Sequence, residues 1–286
     1  MQDVLDWIEQ TGLENIIWAT DLDLTVLDAQ KDPGKVHAEP GLEDAFKRLD
    51  DATGGKFFII TGREMSYIDQ VFPNGDFKSS AEYHNMVRFG NDGTIEEPNP
   101  RPHWDLIDDQ LQAIVDKYEG MRMRIKPFMR SIHHSHAASL KNPEIFARAK
   151  REIQDVLDYH ADETGNVLEN IDGGKVFDVA PEGSNKGKAM NDIMQLVLES
   201  YADGQPRKQP VPIYFGDSPG DIPAAAVVKM RGGVFVQIGD DPRLEPYADF
   251  KLDDPQACRD MIQAVVPEST PAPAPSRDQG QKQGSK

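Results

Sequence analysis

Short apolar runs that alternate with helical patterns constrain the fold of this chain more than any other feature. The runs at 16–19, 56–60 and 211–215 are dominated by Ile, Phe and Val, and each has the length of a buried strand. Apolar residues at helical spacing follow the first two runs, at 41–49 and 65–71. Strands and helices that alternate in this way are typical of a parallel sheet. We therefore expect an α/β fold with a Rossmann-like, doubly wound parallel sheet.

The first apolar run ends in two carboxylates, Asp21 and Asp23. Because side chains alternate along a strand, the two would start on one face. Carboxylates at the end of a buried strand are costly unless they bind a cation or take part in chemistry. Open α/β sheets also place their ligands at this edge. An Asp-rich turn that caps the next segment explains the same residues, so this stretch alone leaves both interpretations open.

The alternation of single strand-like and helical segments stops after the proline-rich segment at 98–102. Two helical patterns follow, at 106–118 and 142–157, and each precedes a pair of strand-like segments. These segments lie at 121–126, 129–134, 167–171 and 175–179, the last two flanking an Asp172-Gly173-Gly174 turn. The order of helix, two strands, helix and two strands predicts a compact α+β (αββαββ) domain inserted into the first.

The strand–helix rhythm returns after the insertion and predicts the rest of the domain organisation. The expected elements are a helix at 188–199, a strand at 211–215, a helix at 222–229 and a last strand at 233–238. Earlier in the chain, 79–89 is interpreted as one further strand region. We expect a catalytic core at 1–100 and 181–266 with an inserted cap at 101–180. Residues 267–286 are Pro, Ala, Ser and Gln with almost no apolar bulk, which predicts a disordered tail.

Composition excludes several classes of partner. The net charge of the 286 residues is −18, so neither a nucleic-acid backbone nor an anionic membrane is an expected partner. A phosphate-bearing small molecule remains compatible, because a bound cation can invert the field inside one pocket. Cys258 is the only cysteine, which fits a reducing compartment. With neither a signal-peptide pattern nor a bilayer-length apolar stretch, we expect a cytoplasmic protein, and we favour a monomer.

Four short motifs stand where predicted strands end or a helix begins. They are Asp21-Leu22-Asp23-Leu24-Thr25, Thr61-Gly62-Arg63, Asn185-Lys186-Gly187 and Gly216-Asp217-Ser218-Pro219-Gly220-Asp221. Each has a simpler explanation by itself: Thr61 as a cap, Lys186 as a surface lysine, Asp217 in a turn. In this order, with three of them after predicted strands, they resemble the haloacid dehalogenase-like phosphatase superfamily.

The resemblance implies a magnesium-dependent phosphatase. A dianionic phosphomonoester repels a carboxylate nucleophile, and a hard divalent cation between them removes that repulsion. Asp21 would be the nucleophile and form an aspartyl-phosphate, and Asp23 would serve as general acid and base. Asp21 and Asp217 would bind Mg²⁺ together with Asp23, whose backbone carbonyl is a metal ligand in the family.

The same resemblance assigns the residues around the phosphoryl group. Thr61, together with Gly62 and Arg63 of its motif, would bind the phosphate, and Lys186 would neutralise the charge that builds on the transferring group. Supporting roles next to these groups fall to Thr25, Asp221 and Asn185. Asp221 would orient either the waters of the metal or Lys186, whereas Thr25 is equally explained as a turn cap beneath the nucleophile.

The inserted domain resembles the cap of the trehalose-6-phosphate phosphatases and related sugar phosphatases. The similar stretches are 80–85, 126–133 and 176–187. They imply that Lys126, His133 and Asp178 contact the sugar. The family carries glutamates at the positions of Arg124 and Asp178, and an arginine at Ser135. Arg124 is therefore interpreted either as a contact for a second anionic group of the substrate or as a solvent-facing strand residue.

Three functional hypotheses follow. The first is a sugar-phosphate phosphatase similar to the trehalose-6-phosphate phosphatases, or one acting on glucosylglycerate, mannosylglycerate or sucrose phosphate. The second is a sugar phosphomutase, which shares the aspartyl-phosphate but shields it from water. The third is a non-catalytic binding module that retains the residues of the site.

Overall fold

Two β-sheets organise the chain. The computed structural model describes residues 1–28, 37–90, 92–164, 167–172, 176–201 and 208–268. The strands are β1 (Ile16–Thr20), β2 (Phe57–Ile60), β3 (Ser79–Ala81), β4 (Met86–Arg88), β5 (Arg122–Ile125), β6 (Arg130–His133), β7 (Leu168–Asp172), β8 (Val176–Pro181), β9 (Val211–Gly216), β10 (Val234–Ile238) and β11 (Phe250–Leu252). The helices are α1 (Gln2–Thr11), α2 (Leu42–Thr53), α3 (Met65–Val71), α4 (Asp108–Lys117), α5 (Pro143–Thr164), α6 (Lys186–Ser200), α7 (Ile222–Met230) and α8 (Pro255–Val265).

The larger sheet has the strand order β11-β10-β9-β1-β2-β3-β4. Its strands are parallel except β4, which runs antiparallel to β3. In β1, Ile16 and Trp18 pack on the side of α1, α2, α3 and α8, whereas Ile17 and Ala19 pack on the side of α6 and α7. Helices on both faces explain why every residue of β1 is buried and why the first four are apolar. The predicted doubly wound α/β fold is confirmed.

Strand register brings three strand ends to one edge of the larger sheet. Thr20 of β1 pairs with Ile59 of β2 and with Phe215 of β9, and all three strands are parallel. The residues that follow these strands therefore emerge side by side. They are Asp21, Thr61 and Asp217.

The smaller sheet has the antiparallel order β5-β6-β8-β7. Helices α4 and α5 cover one of its faces around a core that includes Ile132 and Phe177. Its other face looks onto the pocket at the strand ends of the larger sheet. This is the predicted αββαββ cap. The boundaries at 100/101 and 180/181 remain a prediction.

Two predictions about the elements are wrong. The region 79–89 is not one strand, because a turn at Glu82–His84 separates β3 from β4. The strand at 233–238 is not the last, since β11 and α8 follow it. β11 has only three residues, too few for alternation to be visible, whereas α8 carries a readable start signal. There Asp254 accepts a hydrogen bond from the Ala257 N–H at 2.8 Å, and Pro255 takes the first helical position.

Two predictions fall on undescribed parts of the chain. Gly173 and Gly174 of the predicted turn between β7 and β8 lie outside the described residues, as do residues 269–286 of the predicted tail. Within the described ranges, none of the helices combines the length and the apolar character needed to cross a bilayer.

Candidate active site

A tight, strained turn at 22–27 follows Asp21 directly. Leu24 adopts a left-handed conformation with φ of 59°, which is costly for a residue with a side chain. The N–H groups of Val26 and Leu27 donate to the carbonyl of Leu22 at 3.0 and 2.9 Å and close the turn. Beneath it, the Thr25 hydroxyl is buried without a hydrogen-bond partner among the described residues. Strain of this kind concentrates at functional sites.

Asp21 faces a buried lysine. The Lys186 Nζ lies 3.0 Å from the Asp21 Oδ2 and 2.6 Å from the Asp221 Oδ1, and all three side chains are nearly inaccessible. Burial opposes the charged form of Lys186, but the charges of Asp21 and Asp221 outweigh it and raise its pKa. The lysine therefore stays protonated beside the carboxylate that is predicted to be the nucleophile.

Asp221 organises both Lys186 and the loop after β9. Its Oδ1 also accepts a hydrogen bond from the Tyr214 hydroxyl at 2.5 Å. Its Oδ2 accepts from the N–H groups of Asp217 and Ser218 at 3.1 and 3.0 Å. With both oxygens occupied, Asp221 is better suited to orient its neighbours than to bind a ligand directly. This geometry fits the supporting role predicted for it.

The carboxylates of the site have the composition of a magnesium site. Oxygens of Asp21, Asp217 and Asp221 lie within 4.8 Å of one another. Burial raises the pKa of Asp217, Asp21 and Asp221 add to the increase, and Lys186 opposes it. Burial likewise raises the pKa of Asp21. The single positive charge of Lys186 does not balance the three carboxylates. A hard cation would neutralise the negative charge that remains. Asp21 and Asp217 have the free carboxylate oxygens to hold it.

Asp23 is not one of the three grouped carboxylates, and its side chain is bound by Arg63 and Tyr67. The Arg63 Nε and Nη2 each donate to its carboxylate at 2.7 Å, and the Tyr67 hydroxyl donates at 3.2 Å. Arg63 also lies over the Tyr67 ring, 4.7 Å from its centroid. The structure therefore brings Asp23 and Arg63 into the same pocket as Asp21 but pairs them with each other.

The Thr61-Gly62-Arg63 segment forms the adjoining wall of the pocket. The buried Thr61 hydroxyl accepts a hydrogen bond from the Arg63 N–H at 3.1 Å. A Cβ on Gly62 would lie only 2.9 Å from the ring of Tyr83, so the close approach of this ring requires glycine. The carbonyl of Gly62 accepts from the Lys126 Nζ of the cap at 3.0 Å.

The turn between β3 and β4 contributes a residue that the sequence analysis missed. Glu82, Tyr83 and His84 are all left-handed, with φ of 48°, 53° and 77°. Such a run of non-glycine residues is costly. It directs the Tyr83 ring into the pocket, where the hydroxyl donates to Asp178 of the cap at 3.3 Å. No sequence signal reveals these angles, because none of the three residues is glycine.

Alternating residues of the cap sheet form the roof of the pocket. Arg124, His133 and Asp178 line it, and Lys126 follows directly after β5. Asp178 also accepts a hydrogen bond from Ser131. Burial lowers the pKa of His133, Asp178 opposes this, and the positive charges of Lys126, Arg63 and Arg124 reinforce it. The structure thus brings all four predicted cap residues to one cavity of about 500 Å³.

Contacts between core and cap hold this roof in place. Arg124 forms an ion pair with Glu64 of the core. The Phe128 N–H donates to the buried carboxylate of Glu82 at 2.9 Å. Phe128 itself is fully buried in a small apolar cluster with Met129, against which Tyr83 packs. Sequence analysis missed Glu64 and Glu82, since only the docked cap gives them a partner.

The three predicted supporting residues, Thr25, Asp221 and Asn185, do not line the pocket themselves. Asn185 is the N-cap of α6, and its side chain accepts a hydrogen bond from the Lys188 N–H at 2.9 Å. It is not part of the pocket lining. Its geometry suits the start of the helix that carries Lys186 at its first position.

Comparison with known proteins finds similarity to trehalose-phosphate phosphatases in both sequence and structure. No protein-family model matches the chain. It is 24% identical over 233 residues, 80% of each chain, to a probable trehalose-phosphate phosphatase of Sinorhizobium fredii. Its structure is similar to that of the C. albicans trehalose-6-phosphate phosphatase C-terminal domain, with a TM-score of 0.78, 17% identity, and coverage of 93% of this chain and 96% of that one.

A more distant structural likeness extends beyond the trehalose-phosphate phosphatases. A haloacid dehalogenase-like hydrolase of Bacteroides thetaiotaomicron matches with a TM-score of 0.55 and 11% identity, over 88% of this chain and 99% of that one. These findings confirm the predicted resemblance. The chain has the fold of the haloacid dehalogenase-like hydrolases, complete with a cap, and trehalose-phosphate phosphatases are among the proteins most similar to it.

Proposed function

We propose that the protein is a Mg²⁺-dependent phosphatase that hydrolyses the phosphomonoester of a sugar, in the manner of the trehalose-6-phosphate phosphatases. The observation that carries this proposal is the convergence of Asp21, Asp217 and Lys186 at one edge of the sheet, under a cap. The names of the similar proteins support the same reaction and substrate class. The core at 1–100 and 181–266 would supply the chemistry, and the cap at 101–180 would select the sugar.

In the proposed reaction, Asp21 attacks phosphorus. Its carboxylate oxygen forms a bond to phosphorus while the bond from phosphorus to the sugar oxygen breaks, which yields an aspartyl-phosphate and an alkoxide. Asp23 donates its proton to that leaving oxygen. Asp23 then removes a proton from water, which attacks the aspartyl-phosphate and releases inorganic phosphate and free Asp21.

Neighbouring groups would stabilise the charge on the transferring group. Lys186 and the Thr61 hydroxyl lie next to Asp21 in the pocket and suit the phosphoryl oxygens. Asp21, Asp217 and the backbone carbonyl of Asp23 would hold Mg²⁺, which when bound neutralises charge between nucleophile and phosphate. For Asp23 to reach the leaving oxygen, its carboxylate must exchange the Arg63 guanidinium for substrate. Arg63 would then be free to contact the phosphate.

Phosphate release from a panel of phosphomonoesters tests the proposal. The panel contains trehalose 6-phosphate, sucrose phosphate, glucosylglycerate and mannosylglycerate phosphates and hexose phosphates, each with Mg²⁺ or with a chelator. We expect Mg²⁺-dependent release that Asp21→Asn abolishes and that the control Asp253→Asn, an exposed position outside the pocket, leaves unchanged.

Product analysis separates the remaining alternatives. Free inorganic phosphate identifies a hydrolase, whereas an isomerised sugar phosphate identifies a mutase. Absence of turnover over the whole panel would contradict the proposal and favour a non-catalytic binding module.

A further inference from the structure

One face of the cap sheet presents a row of three basic side chains, Arg122, Arg124 and Lys126, to the pocket. In β5, Arg122 and Arg124 are two residues apart and so share a face. Arg122 lies opposite His133 of β6, and Arg124 lies opposite Ser131. Directly opposed residues of antiparallel strands present their side chains on the same face. All four line the cavity.

The charge of this row is opposite to that of the chain as a whole. Among the described cap residues that line the cavity, Arg122, Arg124 and Lys126 are basic, and Asp178 is the one acid. Asp178 is already engaged by the hydroxyls of Tyr83 and Ser131. The protein as a whole has a net charge of −18, so the positive charge of this roof is opposite in sign to that of the molecule. A positive roof of this kind attracts an anion from solution.

The two arginines retain donors for a ligand. Arg122 is exposed to the cavity and has no ion pair with any described residue. Arg124 uses Nη2 to bind Glu64, its side chain is 43% exposed, and a guanidinium carries five N–H donors. Glu64 therefore orients the Arg124 side chain and leaves other N–H donors of its guanidinium available to a ligand.

The phosphoryl group to be cleaved does not need these arginines. Asp21, Thr61 and Lys186 surround its expected position on the floor of the cavity, at the strand ends of the larger sheet. The basic row belongs to the other sheet, in the roof. A ligand that spans floor and roof would meet a second anion-binding site at its far end.

We propose that Arg122 and Arg124 form a subsite for a second anionic group, so that the substrate is a sugar phosphate that also carries a carboxylate or another phosphoryl group. This inference rests on the proposed function. Guanidinium groups suit both kinds of anion because their fork of donors matches two oxygens at once. Arg124 thus acts as a specificity residue rather than as a solvent-facing strand residue.

Matched substrates test the subsite. Trehalose 6-phosphate is compared with its analogue in which the distal hydroxymethyl group is oxidised to a carboxylate, and with trehalose 6,6′-bisphosphate. The same comparison with glucose 1-phosphate and glucuronic acid 1-phosphate covers a single ring. We expect kcat/KM to be about ten-fold higher for the member with a second anionic group than for its singly phosphorylated partner, the lower end of the effect of a charged hydrogen bond. Comparison of the bisphosphate with the carboxylate analogue shows whether the subsite prefers a phosphoryl group or a carboxylate.

Variants attribute the preference to named residues. Arg122→Gln and Arg124→Gln are each expected to remove most of the ten-fold preference, by lowering kcat/KM for the ester with the second anionic group much more than for its singly phosphorylated partner. Glu64→Gln should increase the preference, because it releases Arg124 from its ion pair. The control Arg151→Gln, at an exposed position on α5, should leave it unchanged. A preference that is absent, or that survives in both arginine variants, overturns the subsite.

Binding separates this inference from the proposed function. Calorimetric titration of Asp21→Asn with the same ester pairs measures affinity without turnover. If no ester is hydrolysed, the proposed function fails, and the subsite still stands or falls on a ten-fold difference in Kd that Arg122→Gln removes. Turnover of esters with and without the second anionic group at equal efficiency contradicts the subsite alone.

Discussion

Lys186 is one positive charge set among several negative ones. Asp21 and Asp221 both contact it, and Asp217 lies within reach of the same space. Burial raises the pKa of Asp21 and of Asp217, and repulsion among the carboxylates adds to the increase, against the opposing charge of Lys186. The folded protein without a cation thus carries an electrostatic cost that a divalent ion would remove.

Removal of Asp217 tests this cost directly. Mg²⁺ is expected to raise the Tm of the wild type, by linkage equivalent to about 2.7 kcal/mol at a concentration of 100 times Kd. Asp217→Asn should melt higher than the wild type in chelator, because it relieves repulsion, and should respond less to Mg²⁺. Differential scanning fluorimetry at pH 8 measures both, with Asp253→Asn as the control. A full Mg²⁺ response in Asp217→Asn would contradict the assignment.

Glu82 carries a second buried carboxylate, at the junction of core and cap. One of its oxygens accepts from the Phe128 N–H, and the other has no hydrogen-bond partner among the described residues. Burial raises its pKa to about 7, the Phe128 N–H and the charge of Lys126 oppose the increase, and Glu64 adds to it. Near neutral pH this group therefore changes charge inside the protein.

Stability should depend on pH through Glu82. Between its ordinary value of 4.5 and about pH 7, the folded protein holds a proton that the unfolded chain has released. The stability gained from that proton is thus lost as the pH rises through this interval. Relative to the wild type, Glu82→Gln should gain stability over the same interval, on the order of 3 kcal/mol above pH 7.

Urea denaturation of both proteins from pH 4 to pH 8 provides the measurement. The comparison isolates Glu82 from other groups that titrate in the same interval, and Glu245→Gln, an exposed position, is the control. Parallel pH profiles for the wild type and Glu82→Gln would refute the raised pKa.

At the level of single residues, position at the end of a strand could be read from the sequence. Asp21, Thr61 and Asp217 each follow a predicted strand, and in the structure they line one pocket because these strands are adjacent and parallel. The Asp23 side chain could not be placed in this way, since its direction depends on Arg63, forty residues away in sequence. Arg122 was readable in principle, from its two-residue spacing to Arg124.

Helix α6 matters because its first residue is Lys186. Its first turn is fixed by the Asn185 side chain, which accepts from the Lys188 N–H. An N-cap of this kind satisfies one of the free N–H groups at the helix start. The position of the lysine thus depends on a residue that does not line the pocket.

Asn185→Ala should therefore affect both stability and catalysis. Loss of the cap is expected to cost about 1 kcal/mol in the free energy of unfolding. Fraying of the first turn should also lower kcat more than it changes KM, because Lys186 loses its fixed position. Urea denaturation and steady-state kinetics measure the two effects, and Asn185→Ser, which preserves a capping oxygen, should restore both. A variant with normal kcat would show that the cap does not position Lys186.

Elements with strong periodicity were predictable, whereas strands of three residues were not. Helix α3 has the predicted bounds, Met65–Val71, since its apolar spacing is unambiguous. β3 and β4 were merged because the turn between them lacks the glycine that usually marks left-handed backbone. β11 was overlooked because three residues show no period, and its position is set by pairing with β10.

Core and cap meet around an apolar plug. Phe128 and Met129 of the β5–β6 hairpin and Ala180 of β8 are buried together, with Tyr83 and Met86 of the core against them. The plug lies beside the polar contacts that join Lys126 to Gly62 and Tyr83 to Asp178. Docking of the cap therefore combines apolar burial with hydrogen bonds that border the cavity.

Phe128→Ala should loosen this docking. Truncation of a fully buried phenylalanine is expected to cost 3–5 kcal/mol in the free energy of unfolding. KM for sugar phosphates should also rise, because the roof of the cavity shifts. The control is Ile125→Ala in the same hairpin, where the side chain is 63% exposed and the expected loss is below about 1 kcal/mol. Equal losses in the two variants would exclude a docking role for Phe128.

The central position of β1 also dictates the order in which the chain can fold. Its neighbour β9 is about 200 residues downstream, so the middle of the larger sheet cannot close until the chain through β9 has left the ribosome. In the cap, β5 pairs with β6 and β7 with β8, each its neighbour in sequence, and the pairing of β6 with β8 spans far fewer residues than that of β1 with β9. During synthesis the cap can therefore assemble before the larger sheet is complete. Until β9 emerges, the edge of β1 that will pair with it stays unpaired.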